Sequence, residues 1–187
     1  MSGRAIPPRP GLGAGQARLA EILRVDHAGE LAAVHIYRGH RAVLNTAAGK
    51  DRIAYQLQEM EAHEAEHLSA FERLLTERQV RPTLLAPVWR AAGFALGVGA
   101  ALVGEKAVHA CTEAVETVIE DHYAGQIEEL RDRDPDLAQT LSAFRDEEVR
   151  HRDQAIDEGA HAAPAYRLFS AVIRAGCRAA IKISEKI

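Results

Sequence analysis

The pattern that most constrains this chain is Glu-x-x-His, present twice, as Glu64 to His67 and Glu148 to His151. Both copies lie in stretches that read as long helices, where residues three apart share a face. Each copy therefore sets a carboxylate beside an imidazole. Each also follows a lone glutamate in another helical stretch, Glu30 at 34 residues before Glu64 and Glu116 at 32 residues before Glu148. The order is Glu, Glu-x-x-His, Glu, Glu-x-x-His. Four carboxylates and two imidazoles converging in one helix bundle make the ligand set of a carboxylate-bridged di-iron or di-manganese centre.

Periodicity carries the helical assignment. Residues 16–45 place Leu19, Leu23, His27, Glu30, Val34, Tyr37 and Leu44 near a three/four repeat. Residues 50–78 carry Ile53, Leu57, Met60, Glu64, His67, Phe71, Leu74 and Leu75 as one stripe. Glu64 and His67 stand mid-stripe, where leucine or isoleucine is expected. Glu59, Glu61, Glu66 and Glu72 fall mostly off it and read as solvated, which singles out Glu64. Residues 105–133 form the next helix, with Glu116 on a more polar face beside His109, Glu120 and Tyr123. Asp134-Pro135 is a helix start, an N-cap followed by proline at the first position. The helix over residues 135–159 sets Glu148 and His151 among Leu137, Leu141, Phe144 and Ala155. A carboxylate on an inward face must be paired, protonated or bound to metal. With no competing strand pattern, the expected fold class is all-α, four ligand-bearing helices with two additional ones.

One additional helix is apolar. Thr83 to Gly104 spans 22 residues with Arg90 as its single charge, long enough to cross a membrane. His67 precedes it and Glu116 follows it, with no second apolar run between them. If the two share a site, the segment cannot span, and it lies over the bundle or in a membrane interface. Gly93, Gly97, Gly99 and Gly104 weaken it as an isolated helix but permit close packing. Trp89 and Phe94 suit either a membrane interface or the core. The other additional helix starts at Ala163-Pro164 and is basic and amphipathic. Arg167, Arg174, Arg178, Lys182 and Lys186 form a continuous stripe beside Leu168, Phe169, Val172, Ile173 and Ile181. That combination fits a membrane surface or an acidic partner.

Composition excludes other classes. A formal charge of −4 over 187 residues is too mild for nucleic-acid binding. Two cysteines, Cys111 and Cys177, make neither a disulfide framework nor a zinc ribbon and read as packing residues. Residues 1–15 are Pro/Gly-rich without a signal pattern and are expected to be a disordered lead-in, with one domain over 16–187. Asp26, Asp121 and Asp146 are the candidates to accept hydrogen bonds from the ligand histidines. His27 reads as a hydrogen-bonded core residue, and His63, next to Glu64, points off the ligand face. His35, His40, His109 and His161 are expected to lie outside the ligand set. His122 and Tyr123 follow Glu116 closely enough for packing or for a redox or proton role.

Longer motifs then become legible. Arg24-Val25-Asp26-His27-Ala28-Gly29-Glu30, Arg81-Pro82-Thr83, the run Gly93 to Gly97, Ala110-Cys111-Thr112, Val115-Glu116, His122-Tyr123 and Phe144-Arg145-Asp146-Glu147-Glu148 resemble the demethoxyubiquinone hydroxylase family of ubiquinone biosynthesis. So do Ala163-Pro164-Ala165-Tyr166 and Ala175-Gly176-Cys177-Arg178. The resemblance runs from about Leu19 to Ile187. It departs around residues 47–51 and 130–139, both connections, and at Glu120 and Asp121 beside His122. It implies a ferritin-like four-helix bundle binding two iron ions through Glu30, Glu64, His67, Glu116, Glu148 and His151, with Glu64, Glu116 and Glu148 as bridging or terminal carboxylates. It implies O₂-dependent hydroxylation of a polyprenylated quinone ring, NADH as electron donor, and electron or proton transfer through His122 and Tyr123. The same resemblance implies a peripheral protein of a membrane surface that pairs with a lipid-binding accessory protein, while the short N-terminus without an Arg/Ser-rich transit peptide favours a bacterial member on the cytoplasmic face of the inner membrane; a homo-oligomer is a further partner to expect. The residues also admit another ferritin-like di-iron oxidase or peroxidase, or a non-catalytic, membrane-associated helical quinone-binding module.

Overall fold

Turn chemistry sorts the chain into two helical hairpins. The computed structural model describes residues 14–45 and 47–187. Helices α1 (Ala14–Leu44) and α2 (Asp51–Glu77) are joined at Gly49, whose φ of +74° suits a residue without a Cβ. Helices α4 (Glu105–Leu130) and α5 (Pro135–Asp157) are joined across residues 131–134. There Asp134 caps α5 by accepting a hydrogen bond from the Leu137 amide at 3.2 Å. Between the hairpins runs α3 (Ala86–Val103), which turns directly into α4 at Gly104, φ +132°. A 3-10 turn (Ala160–Ala162) leads to α6 (Tyr166–Ser184). No strand occurs among the described residues, so the expected all-α architecture of four long helices and two additional ones is observed.

Close backbone approach is extensive within each hairpin, α1 with α2 and α4 with α5. Between the hairpins the space is filled mainly by side chains. Apolar cores lie toward the two ends of the bundle. One gathers Ile22, Leu23, Phe71, Leu130 and Leu141, the other Leu44, Ile53, Leu57, Met60 and Val108. The polar cluster of Glu and His lies between them.

Three expectations change. The α1 stripe is not one-sided: α2, α3 and α6 all pack on this helix, so residues such as Val25, Leu31, Ile36 and Val34 are buried together. Residues 14 and 15 of the expected lead-in already belong to α1, and the rest of it lies outside the described residues. The basic stripe of α6 is also interrupted. Arg174 turns inward to pair with buried Glu113, and Lys186 pairs with Glu21 at 2.7 Å. Arg167, Arg178 and Lys182 remain exposed.

Helix α3 lies against α1 with their backbones in contact. A Cβ on Gly93 would stand 2.6 Å from the Ala32 carbonyl oxygen. One on Gly97 would meet the Ile36 carbonyl, and one on Gly39 would meet the Phe94 carbonyl. Gly99, by contrast, has open space beside it. The buried side of α3 is therefore Gly93, Gly97, Ala100 and Ala101, while Val88, Phe94, Leu102 and Val103 stay exposed. Long and apolar enough to cross a membrane by composition, this helix instead runs along the bundle.

These contacts separate two glycines of one helix. Gly97→Ala should lose about 1–3 kcal/mol, since the added methyl meets rigid backbone. Gly99→Ala should gain up to about 1 kcal/mol from helix propensity alone. Urea denaturation of both variants checks this, and equal midpoints would contradict the backbone contact.

Candidate metal centre

The mid-stripe glutamates and histidines all point into the bundle. Glu30 comes from α1, Glu64 and His67 from α2, Glu116 from α4, and Glu148 and His151 from α5. Each is at most 4% exposed. Their ligand atoms fall into two groups, each with atoms within 4.8 Å of one another: Glu30, Glu64, His67, Glu148 and Glu64, Glu116, Glu148, His151. Glu64 and Glu148 belong to both groups, whereas Glu30 and Glu116 belong to one each. All six residues singled out by spacing therefore meet, and the shared pair is Glu64 with Glu148.

The inward atoms are crowded without being aimed at one another. His67 Nδ1 lies 3.1 Å from Glu148 Oε1, and His151 Nδ1 lies 3.2 Å from Glu64 Oε1. Yet Glu64 Oε1, both Glu148 carboxylate oxygens and both Nδ1 atoms are buried without a partner in hydrogen-bond geometry. Such orphaned atoms are rare in a core. Atoms that converge on a common point, and not on each other, are what a cation needs. Three carboxylates and one imidazole per group suit iron or manganese better than a thiolate-loving metal.

The terminal carboxylates are held by tyrosines that cross between hairpins. Tyr37 of α1 donates to Glu116 Oε1 at 2.9 Å, and Tyr123 of α4 donates to Glu30. Burial and the neighbouring carboxylates push both phenols well above their usual range, so they remain donors. The imidazoles are held from outside. His67 Nε2 lies 2.9 Å from Glu147 Oε2, and His151 Nε2 lies 3.0 Å from His63 Nδ1.

This corrects the expected acceptors. Asp121 and Asp146 are exposed, and Asp26 binds His122 at 3.1 Å and Gln126 at 2.8 Å instead. His63 is exposed and off the ligand face, as expected, and it meets the outer Nε2 of His151. Tyr37 had appeared only as a member of an apolar stripe. A signal for these residues existed: Tyr37 and Tyr123 each stand seven positions after the lone glutamate of their helix, and His63 and Glu147 each precede a Glu-x-x-His. His27, His35, His40, His109 and His161 lie outside both ligand groups.

A cavity reaches the cluster from one side. It is lined by Glu30, Glu64, Glu116 and Glu148 at one end and by Val25, Ala28, Ile36, Val115, Ile119 and Ile181 along its walls. His122, Tyr123, Trp89 and Cys177 also line it. The Trp89 indole N–H is buried there without an acceptor. Cys111 packs in the adjacent core, as expected.

The chain matches the family described as ubiquinone biosynthesis protein COQ7 over residues 17–184. It belongs to the COQ7 family. Over 175 residues it is 46% identical to the mouse (Mus musculus) protein named NADPH-dependent 3-demethoxyubiquinone 3-hydroxylase, mitochondrial, covering 91% of this chain and 79% of that one. Over 178 residues it is 45% identical to the 3-demethoxyubiquinol 3-hydroxylase of Rhodospirillum rubrum, covering 95% and 82%. A yeast (Saccharomyces cerevisiae) protein named 5-demethoxyubiquinone hydroxylase, mitochondrial, is 39% identical over 186 residues, covering 91% and 79%. The helical bundle of this COQ7-family chain is thus the ferritin-like fold that its motifs imply.

Charge in the cluster sets a pH dependence for the metal-free chain. Burial, then repulsion from neighbouring carboxylates, raises Glu64 and Glu116 well above the usual range. Burial also opposes charge on Glu148, but contact with His151 and His67 outweighs it and holds Glu148 at about 2. For His67, burial opposes protonation, but Glu148 and Glu30 outweigh it and push it to about 12. Glu64, Glu116 and His67 thus hold protons more tightly in the folded state than in the unfolded chain, which has largely released them by about pH 7. Their contribution falls as pH rises toward their folded values. Buried His27, His40 and His109 are lowered, by burial first, and are neutral in both states in that window. Chelator-treated protein should therefore melt at lower temperature at about pH 9 than at about pH 7, as read by circular dichroism. A melting point that rises would contradict the assignment.

Proposed function

We propose that this chain is a 3-demethoxyubiquinol 3-hydroxylase, an O₂-dependent di-iron monooxygenase of ubiquinone biosynthesis. The observation that carries the proposal is the apolar cavity whose end is formed by the shared and terminal carboxylates of two metal-sized groups. A flat, apolar ring entering that cavity would lie against the cations. Glu30, Glu64, His67 and Glu148 would hold one iron, and Glu64, Glu116, Glu148 and His151 the other, Glu64 and Glu148 being common to both groups. Iron held there would supply O₂ activation for a reaction in which one oxygen atom enters the ring and the other leaves as water, with two electrons from a reduced nicotinamide nucleotide.

The chain's own residues do the positioning. Tyr123 and Tyr37 fix the terminal carboxylates, and the apolar walls exclude water from the reacting ring. His122 touches the cavity and is tied to Asp26 and Gln126, which supports a proton or electron route ending at Tyr123. NADH is the expected donor, and the mouse relative's name specifies NADPH, so both belong in the assay. The exposed apolar residues of α3, with Leu168 and Val172 of α6 and the cations Arg90, Arg167, Arg178 and Lys182, support attachment to the surface of the membrane that stores the polyprenyl substrate. One domain, beginning with α1, would carry both functions.

Loaded with iron and given a demethoxyubiquinol, a reduced nicotinamide nucleotide and ¹⁸O₂, the protein should yield a hydroxylated quinol carrying one ¹⁸O. Iron-loaded protein that consumes O₂ without labelling the ring would favour an oxidase or peroxidase. Glu64→Ala should lose both irons and Glu116→Ala one before the other, as read by metal analysis. Equal retention of two irons in both variants would sink the ligand assignment.

Membrane attachment has its own test. Reversing Arg178 and Lys182 to glutamate should weaken sedimentation with anionic liposomes while leaving the melting temperature near that of the parent. Arg174→Glu should instead lower stability, because it leaves Glu113 buried beside a like charge. Unchanged sedimentation of the double reversal would remove α6 from the attachment surface.

A further inference from the structure

The two halves of the metal centre are near copies. Glu30 and Glu116 each stand seven residues before the tyrosine of their own helix, and each accepts the hydroxyl of the other helix's tyrosine. Each ligand group holds three carboxylates and one imidazole, two of the carboxylates being shared. The inner donors are therefore balanced in charge.

The copies differ behind the imidazoles. The residue preceding each paired glutamate crosses to the opposite helix's histidine. On one side Glu147 meets His67 at 2.9 Å, and on the other His63 meets His151 at 3.0 Å. Both ligand rings turn Nδ1 inward, so their Nε2 carries the proton and donates outward. Glu147 accepts with a carboxylate. His63 can accept only through the lone pair of a neutral imidazole, and its ring lies parallel to that of His151, with centroids 5.3 Å apart. His63 is exposed and Glu147 half-buried.

The direction of the effect follows. A carboxylate acceptor draws on the N–H bond, which makes the ring more basic and a stronger donor to its cation. That donation, with the added negative charge, favours the more highly charged metal state. A neutral acceptor does so less. Arg150, 3.3 Å from the other oxygen of Glu147, is exposed and screened by water, so it offsets little of this.

We propose that His63 and Glu147 are positioning residues that make the two irons unequal, the one beside His151 being the easier to reduce. The inference rests on the dinuclear reading of the site. The step is one electron, delivered by a dithionite-reduced mediator in the test below, converting ferric to ferrous iron on the His151 side. The His151 N–H stays in place and no covalent bond of the protein breaks. Because the Asp26–His122 pair also lies on the Glu30 side, comparison between variants tests the idea better than comparison between halves.

The experiment uses the full chain reconstituted with ⁵⁷Fe, titrated with dithionite and mediators and read by EPR of the half-reduced state. Mössbauer spectra of the fully reduced state accompany it. His63→Glu should lower the higher potential, and Glu147→Gln should raise the lower one. Each should change its reduction equilibrium by about tenfold, or about 59 mV for one electron. The gap narrows in both, and each variant moves a different Mössbauer doublet. His63→Gln, which keeps a neutral acceptor, should preserve the parent potentials. A gap unchanged or widened in either variant, or one doublet moved by both, overturns the proposal. Parent protein that binds no iron sinks the dinuclear reading and this inference with it. Parent protein with two irons and unresponsive variants sinks this inference alone.

Discussion

Four carboxylates in one dry cluster are the constraint that shapes the molecule. Moving a carboxylate from water into a low-dielectric interior is expensive, and placing like charges a few ångströms apart adds to it. Such a cluster persists only where opposing groups surround it. Two imidazoles and two phenolic hydroxyls surround it here, and its two groups of carboxylates and imidazoles could each hold a cation as well. Each of these groups must come from a different helix, because one helix face cannot present them all at the needed distances. The four long helices are therefore tied by side chains at mid-length, and apolar packing is displaced toward the two ends of the bundle.

The same constraint explains why α1 is hemmed in. Glu30 needs Tyr123 from α4, and Tyr37 needs Glu116, so α1 must face the second hairpin while pairing with α2. Its remaining side is open to α3, which closes on it without side chains at Gly93 and Gly97. This close approach is why an apolar helix with many exposed residues stays on the bundle. It also brings Trp89 to the cavity beside residues of α6. The cavity, the apolar surface and the cluster are thus three consequences of one crowded helix.

The ligands were legible in sequence because their chemistry contradicts their position. A glutamate or histidine in the middle of an apolar stripe demands a partner, and Glu64, His67, Glu148 and His151 all stand out for that reason. Helix boundaries followed from Gly49, Asp134 and Pro135, which act locally. What crosses between helices was not legible. Asp26 shares the spacing of an acceptor for a ligand histidine but lies level with His122. The contact of His63 with His151 was invisible because that partner comes from a helix far along the chain. Arg174 belonged to a basic stripe until Glu113, on a helix whose first half is buried all round, required a counter-charge. Single-helix periodicity reports which side of a helix faces inward and says nothing of what waits there.

The near-symmetry of the two hairpins then acquires a direction from where it breaks. The cavity is walled by α1, α4 and α6 and meets the carboxylate ends of the cluster. The partners of the two imidazoles lie on α2 and α5, where His63 is exposed and Glu147 half-buried. The cavity and the outer ends of the imidazole hydrogen bonds are therefore on different sides of the bundle. Glu64 and Glu148 lie between the two sides and belong to both metal groups. On the proposed reading, a substitution at the imidazole acceptors would alter electron donation to the metals without entering the cavity. On the same reading, a change in the cavity wall would alter ring position without touching those hydrogen bonds. Two hairpins with identical surroundings would lack this separation, since every contact on one side would be repeated on the other.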